Sequence, residues 1–128
     1  VVEDGPDPAS QRILLGRSAA WAGNMYSTFA GFVEPGESAE QAVVREVGEE
    51  AGITVDTVQY QGSQPWPFPR SLMLGFRART ADETQVGDTD GELSQVIWAT
   101  RDDLGGLTLA PEGSIARQLI ERWAAGEI

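Results

Sequence analysis

Residues 42–52 read AVVREVGEEAG, and local signals around them specify a helix. Ser38 stands at the N-cap with Gln41 three residues on, a capping-box spacing, and Gly52 occupies the place of a left-handed C-cap. With an advance of about 100° per residue and Ala39 at zero, Ala42 and Val43 fall near −60° and +40°, a face of small apolar residues. On the same wheel Glu46 and Glu50 lie near −20° and +20°, inside that face, and Glu49 near −80°, on its edge. Glu40 and Gln41 point away. Carboxylates therefore occupy positions where a core helix places leucine. An unpartnered buried carboxylate costs several kcal/mol, a large share of the roughly 5–15 kcal/mol that stabilises a domain, so positive charge is required there. Arg45 alone cannot neutralise three carboxylates. A hard divalent cation can, because glutamates at i and i+4 project together and Mg²⁺ or Mn²⁺ binds carboxylate and phosphate oxygens alongside water. Arg45 and Glu49, also i and i+4, form a pair that steers the acids. A solvated helix laced with such pairs is the plainer alternative; the small residues around the acids count against it.

Composition narrows the chemistry. The chain has 128 residues, 41% of them hydrophobic, the size of one domain. It contains no Cys, His or Lys, and its nine basic residues are all Arg. Disulfides, Cys or His zinc ligation, a Ser-His-Asp triad, a Schiff-base lysine and a Walker phosphate loop are excluded, leaving carboxylates as the acid–base groups. A net charge of −11 disfavours a broad nucleic-acid groove or an anionic membrane, and an anionic small substrate needs a divalent cation as intermediary. No apolar run approaches the roughly 20 residues of a membrane span, so a cytoplasmic protein with no membrane partner is expected. The chain opens at Val1 in the strand-like VVEDG, which suggests a fragment.

Strands are expected at QRILLGRS (11–18), MYSTFAGFVE (25–34), ITVDTVQYQG (53–62), LMLGFRART (72–80) and LSQVIWAT (93–100). In the fourth, Leu72, Leu74 and Phe76 alternate with Met73, Gly75 and Arg77. Between the third and fourth lies the proline-rich SQPWPFPRS (63–71), read as a stiff extended segment presenting two aromatic rings. ADETQVGDTDGE (81–92) is an acidic loop. Ser114 opens a last helix with Ile115, Leu119, Ile120 and Trp123 on one face. The pattern implies one α/β domain over residues 1–128, helices packed on a mixed sheet.

The segment GFVEPGESAEQAVVREVGEEAGI, residues 31–53, resembles the Nudix box Gx5Ex7REUxEExGU at all nine fixed positions: Gly31, Glu37, Arg45, Glu46, Val47, Glu49, Glu50, Gly52 and Ile53. The following SQPWPFPRS resembles the SQPWPFPxS signature of the NADH pyrophosphatase subfamily. The resemblance implies a Nudix-type α/β/α sandwich with a mixed β-sheet. It also implies two or three Mg²⁺ or Mn²⁺ ions and hydrolysis of the pyrophosphate of NADH or NAD⁺ to nicotinamide mononucleotide and AMP.

Carried over by position, the metal ligands are the Ala30 carbonyl and the side chains of Glu46, Glu49, Glu50 and Glu92. The catalytic group is Glu50 as general base, Glu49 as second choice, Glu46 and Arg45. The substrate residues are Gln64, Pro65, Trp66, Pro67, Phe68, Pro69, Arg70, Ser71 and Ala116, with Phe32 as a stacking platform for a base. The subfamily also includes enzymes that remove NAD caps from RNA, so the partners implied are a dinucleotide and the NAD-capped 5′ end of RNA. Its members carry an upstream zinc ribbon, which this chain lacks, so zinc is expected only in that ribbon and a homodimer only in the full-length protein. The alternatives are a Nudix hydrolase of ADP-ribose or dinucleoside polyphosphates and a non-catalytic nucleotide-binding Nudix module.

Overall fold

The computed structural model describes residues 1–18, 22–68, 70–81 and 95–128. Its strands are β1 (Val2–Glu3), β2 (Ile13–Arg17), β3 (Thr57–Trp66), β4 (Ser71–Arg79) and β5 (Gln95–Ala99), and its α-helices are α1 (Ala39–Ala51), α2 (Arg101–Leu104) and α3 (Ile115–Ala124). The sheet order is β3-β4-β1-β2-β5. β1 runs parallel to β4 and the other pairs are antiparallel, which makes the sheet mixed. None of the described helices is long and apolar enough to cross a membrane.

Period-two alternation sends successive residues to opposite faces, so the sheet feeds two cores. On one face Val2, Leu14 and Ala78 pack with Val47 and Ala51 of α1 and with Ile53 and Val55. On the other, Val1, Ile13 and Leu15 pack with Leu104 of α2 and Ile115, Leu119, Ile120 and Trp123 of α3. The expected α/β/α sandwich is therefore present, with the expected face of α3 buried. Glu3 at the end of β1 and Asp4 just after it carry two acids into this interior. Glu3 binds the Arg77 Nε and, at 2.6 Å, Arg79 Nη1; Asp4 binds Arg12 Nη2 at 2.5 Å.

Two expected strands differ. Residues 25–34 make only isolated bridges, Ser27 to Gly16 and Tyr26 to Leu109. β2 is already paired along its whole length by β5 and at Ile13 and Leu14 by β1, so an edge is open to this segment only beyond β1, at Gly16. The third strand starts at Thr57 rather than Ile53 and runs on through Ser63, Gln64, Pro65 and Trp66. The proline-rich segment is thus half strand and half hairpin turn, with Trp66 opposite Ser71. Pro65 is tolerated because β3 is an edge strand. The acidic loop 82–92 lies outside the described residues.

Candidate active site

α1 forms as its sequence specifies. Ser38 Oγ accepts from the Gln41 N–H at 3.1 Å, the Gln41 side chain accepts from the Ser38 N–H at 2.8 Å, and Gly52 closes the helix at φ 69°. The helix turns Val47 and Ala51 fully inward and leaves Glu40 and Gln41 exposed. Glu50 is buried, at 2% exposure, and Glu46 is partly buried beside it; Glu49 stays exposed. The wheel therefore placed all three acids correctly.

Arg45 gathers the acids. Its Nε donates to Glu37 Oε2 at 2.7 Å and its Nη2 to Glu37 Oε1 at 3.0 Å, a bidentate grip. Its Nη1 donates to Glu46 Oε1 at 2.8 Å and to Glu49 Oε2 at 3.3 Å, and Nη2 also reaches the Phe32 carbonyl at 3.0 Å. Hydrogen bonds donated to Glu37 and then to Glu46 hold the guanidinium well above its ordinary pKa. Arg45 in turn, aided by the Glu34 backbone N–H, holds the Glu37 carboxyl below the ordinary glutamate range. Glu37 is legible in the sequence only as a fixed position of the box, eight residues before Arg45; its grip on Arg45 comes from the structure.

Gly31 lies against Glu46. A Cβ built there would sit 2.2 Å from the Glu46 Cδ, so any side chain at 31 displaces this carboxylate. The loop holding Gly31 and the N-terminal part of α1 line a cleft of about 590 Å³. Ala30, Phe32, Glu46, Arg70, Ser71 and Ala116 all line it, together with Leu72 and Leu74 of β4. Those two leucines are substantially exposed, while Met73 on the opposite face packs under α3. Glu49, Glu50, Gln64, Pro65, Trp66, Pro67 and Phe68 do not line this cleft. Trp66 and Phe68 stand out at the hairpin tip, Phe68 being 91% exposed. Pro69 and Glu92 lie outside the described residues.

The donor set suits a hard cation: carboxylates one helical turn apart, at Glu46 and Glu50, and a backbone carbonyl at Ala30 in the loop facing α1. Among the described residues no group of three or more acidic side chains is placed so that it could hold a metal ion by itself.

The Nudix domain family matches residues 6–123 of the chain. The NAD-capped RNA hydrolase NudC of Mycobacterium bovis is 47% identical over 99% of this chain and 44% of its own length. The protein of the same name from Pseudomonas putida is 50% identical over 88% of this chain and 40% of its own length. The chain thus spans less than half of these relatives. Among solved structures, the Nudix domain of Shewanella oneidensis NrtR complexed with ADP ribose superposes with a TM-score of 0.78 at 18% identity, over 100% of this chain and 84% of that one. A C. elegans Ap4A hydrolase binary complex superposes with a TM-score of 0.66 at 23% identity, over 98% and 96%. At such identities the two structures speak for the fold alone. Family match, curated relatives and architecture agree that the chain belongs to the Nudix family.

Proposed function

We propose that this domain hydrolyses the pyrophosphate bond of NADH or NAD⁺, giving nicotinamide mononucleotide and AMP, and that the NAD cap at an RNA 5′ end is a further substrate. The observation that carries the reading is one cleft lined by Glu46, Phe32 and Arg70 together: a cation held by Glu46 would meet the phosphates, Phe32 a base, and Arg70 further negative charge. The relatives named NAD-capped RNA hydrolase support NAD as the dinucleotide. Glu46 and Glu50 would hold Mg²⁺ or Mn²⁺ with the Ala30 carbonyl, Glu49 and Glu92 contributing, and the substrate phosphates supply further oxygens. Bound there, divalent metal supplies Lewis-acid polarisation of the phosphoryl oxygens and a more acidic water.

The protein's own groups do the rest. Glu50, or Glu49 in second place, accepts the proton of the attacking water, since the chain has no histidine to do so. Water oxygen bonds to one phosphorus as the bridging P–O bond breaks, and the bridging oxygen leaves on the other phosphate. Arg45 keeps the carboxylates of Glu46 and Glu49 in place by its two Nη1 hydrogen bonds. Phe32 offers a face for a base, and Arg70, Ser71 and Ala116, which line the same cleft, frame the rest of the dinucleotide. We place the full-length protein in the cytoplasm as a homodimer.

The test is an Mg²⁺- or Mn²⁺-dependent assay of the full natural chain on NADH, NAD⁺, NAD-capped RNA, ADP-ribose and diadenosine polyphosphates, with chromatographic detection of AMP or, for the capped RNA, of nicotinamide mononucleotide. Preference for the NAD compounds is expected. Binding of NAD without release of AMP would replace the enzyme by a sensing module; preference for ADP-ribose would move the substrate.

A further inference from the structure

Gln64 belongs to the signature that resemblance assigns to substrate, yet its carboxamide is spent elsewhere. Its Nε2 donates to the Gly113 carbonyl at 2.7 Å and its Oε1 accepts from the Ile115 N–H at 2.9 Å. Donor meets carbonyl and acceptor meets N–H, so the two partners also fix which end of the amide is oxygen. Ile115 is the first residue of α3, and its N–H is one of the donors a helix cannot satisfy internally. Ser114 Oγ takes another of them, from Arg117, at 3.1 Å. The start of α3 is therefore capped twice, once from its own sequence and once from an edge strand 51 residues earlier.

The backbone of β3 is built to deliver that second cap. Tyr60 pairs with Phe76, but Gly62 pairs with Gly75, so Gln61 is an extra residue in the ladder. Such a one-residue insertion reverses which face every following side chain takes. Before it, the even-numbered Val58 and Tyr60 share the face of Ala78 and Phe76; after it, Gln64 shares the face of Met73, which packs under α3. An unbulged β3 would turn Gln64 away from α3.

We propose that Gln64 is a positioning residue that clasps the first turn of α3 to the β3–β4 hairpin and so fixes the width of the cleft for the dinucleotide. Both joined elements line the cleft, Ser71, Leu72 and Met73 on the hairpin and Ile115, Ala116 and Leu119 on the helix. Gln64 does not line it. The proposal rests on the dinucleotide reading for its kinetic consequence and on geometry alone for the clasp.

The experiment uses the full natural chain with the substitutions Gln64→Leu, which deletes both hydrogen bonds, and Gln64→Glu, which is nearly isosteric and keeps an acceptor for Ile115. Two readouts are taken: amide hydrogen exchange at Ile115, and KM and kcat for NADH at saturating Mg²⁺. With two hydrogen bonds lost, Gln64→Leu is expected to release the Ile115 amide and raise KM roughly tenfold, with a smaller fall in kcat. Gln64→Glu is expected to keep Ile115 protected and raise KM less. A KM that rises while Ile115 stays protected in Gln64→Leu makes Gln64 a direct substrate contact and overturns the proposal, as does an unchanged KM with Ile115 released. Release of Ile115 in a protein whose unsubstituted form hydrolyses no dinucleotide upholds the clasp and overturns the functional reading instead.

Discussion

Two regions of this molecule bury acids and neutralise them differently. At the end of β1, Glu3 has no exposed surface and meets two arginines, Arg77 and Arg79, while Asp4, the next residue, receives the backbone N–H of Arg12 at 3.0 Å and its Nε and Nη2 at 3.1 and 2.5 Å. Each acid has at least one base to itself. Around α1 the ratio is inverted, because the single guanidinium of Arg45 serves Glu37, Glu46 and Glu49 and lies 3.7 Å from Glu34. The first arrangement closes its charge and serves the fold. The second stays negative beside a cleft, which is what a cation-binding centre needs before its cation arrives. If this difference is functional, substitutions in the two regions should separate: β1 variants should lose stability, and α1 variants should lose turnover or metal response.

The largest separation is expected from Glu50→Gln. Loss of the proposed general base should lower kcat by roughly 10²- to 10⁴-fold. The substitution preserves shape, so the melting temperature should hold. Initial rates at saturating Mg²⁺ and a thermal melt read the two quantities. Near-normal turnover would remove Glu50 from the chemistry and leave its burial to be explained as structural.

From the β1 side, Glu3→Ala leaves Arg77 and Arg79 facing each other with no carboxylate between them. Breaking a buried pair by removing one partner costs about 3–5 kcal/mol, and urea unfolding should show a loss of that order. Turnover of the folded protein should be retained. A loss under about 1 kcal/mol is the range of exposed pairs, and would mean that solvent screens this site and that the contrast with α1 is one of sequence only.

What could be read from the sequence divides along the same line, between local and distant causes. α1 was legible residue by residue because Ser38, Gln41 and Gly52 act within a few positions of themselves, and a helical wheel needs no partner to put Glu46 and Glu50 inward. α3 was legible for the same reason. The capping box of α2, with Thr100 accepting from the Asp103 N–H at 3.2 Å, carried an equally local signal and was passed over. Residues 25–34 have strand-like composition, but whether a strand forms depends on a free sheet edge, which β1 and β5 had already taken. The bulge at Gln61 is silent in sequence, so the face taken by Gln64 could not be read. The burial of Glu3 and Asp4 has no local signal, because the arginines that donate to them lie on β4 and before β2.

The smallest expected effect tests the balance inside the α1 cluster itself. Glu37 holds Arg45 by two hydrogen bonds, so in Glu37→Gln the guanidinium loses its strongest partner and draws harder on Glu46 and Glu49. Arg45 then competes with the metal for the same oxygens. Groups that orient metal ligands from outside typically change metal affinity by about 10- to 100-fold, and the lower end is expected here, as a higher Mg²⁺ activation constant with kcat recovered at saturating Mg²⁺. The same pair has a pH signature. Because the folded-state pKa of Glu37 lies below the ordinary value of 4.5, its contribution to stability is complete above that value and disappears as pH falls through the folded one. Melting temperatures followed downward from neutral pH should therefore fall less steeply in Glu37→Gln than in the unsubstituted protein. Parallel curves, together with an unchanged Mg²⁺ activation constant, would show that Glu37 does not hold Arg45 in solution, and that Arg45 is free to neutralise by itself the acids proposed to bind metal.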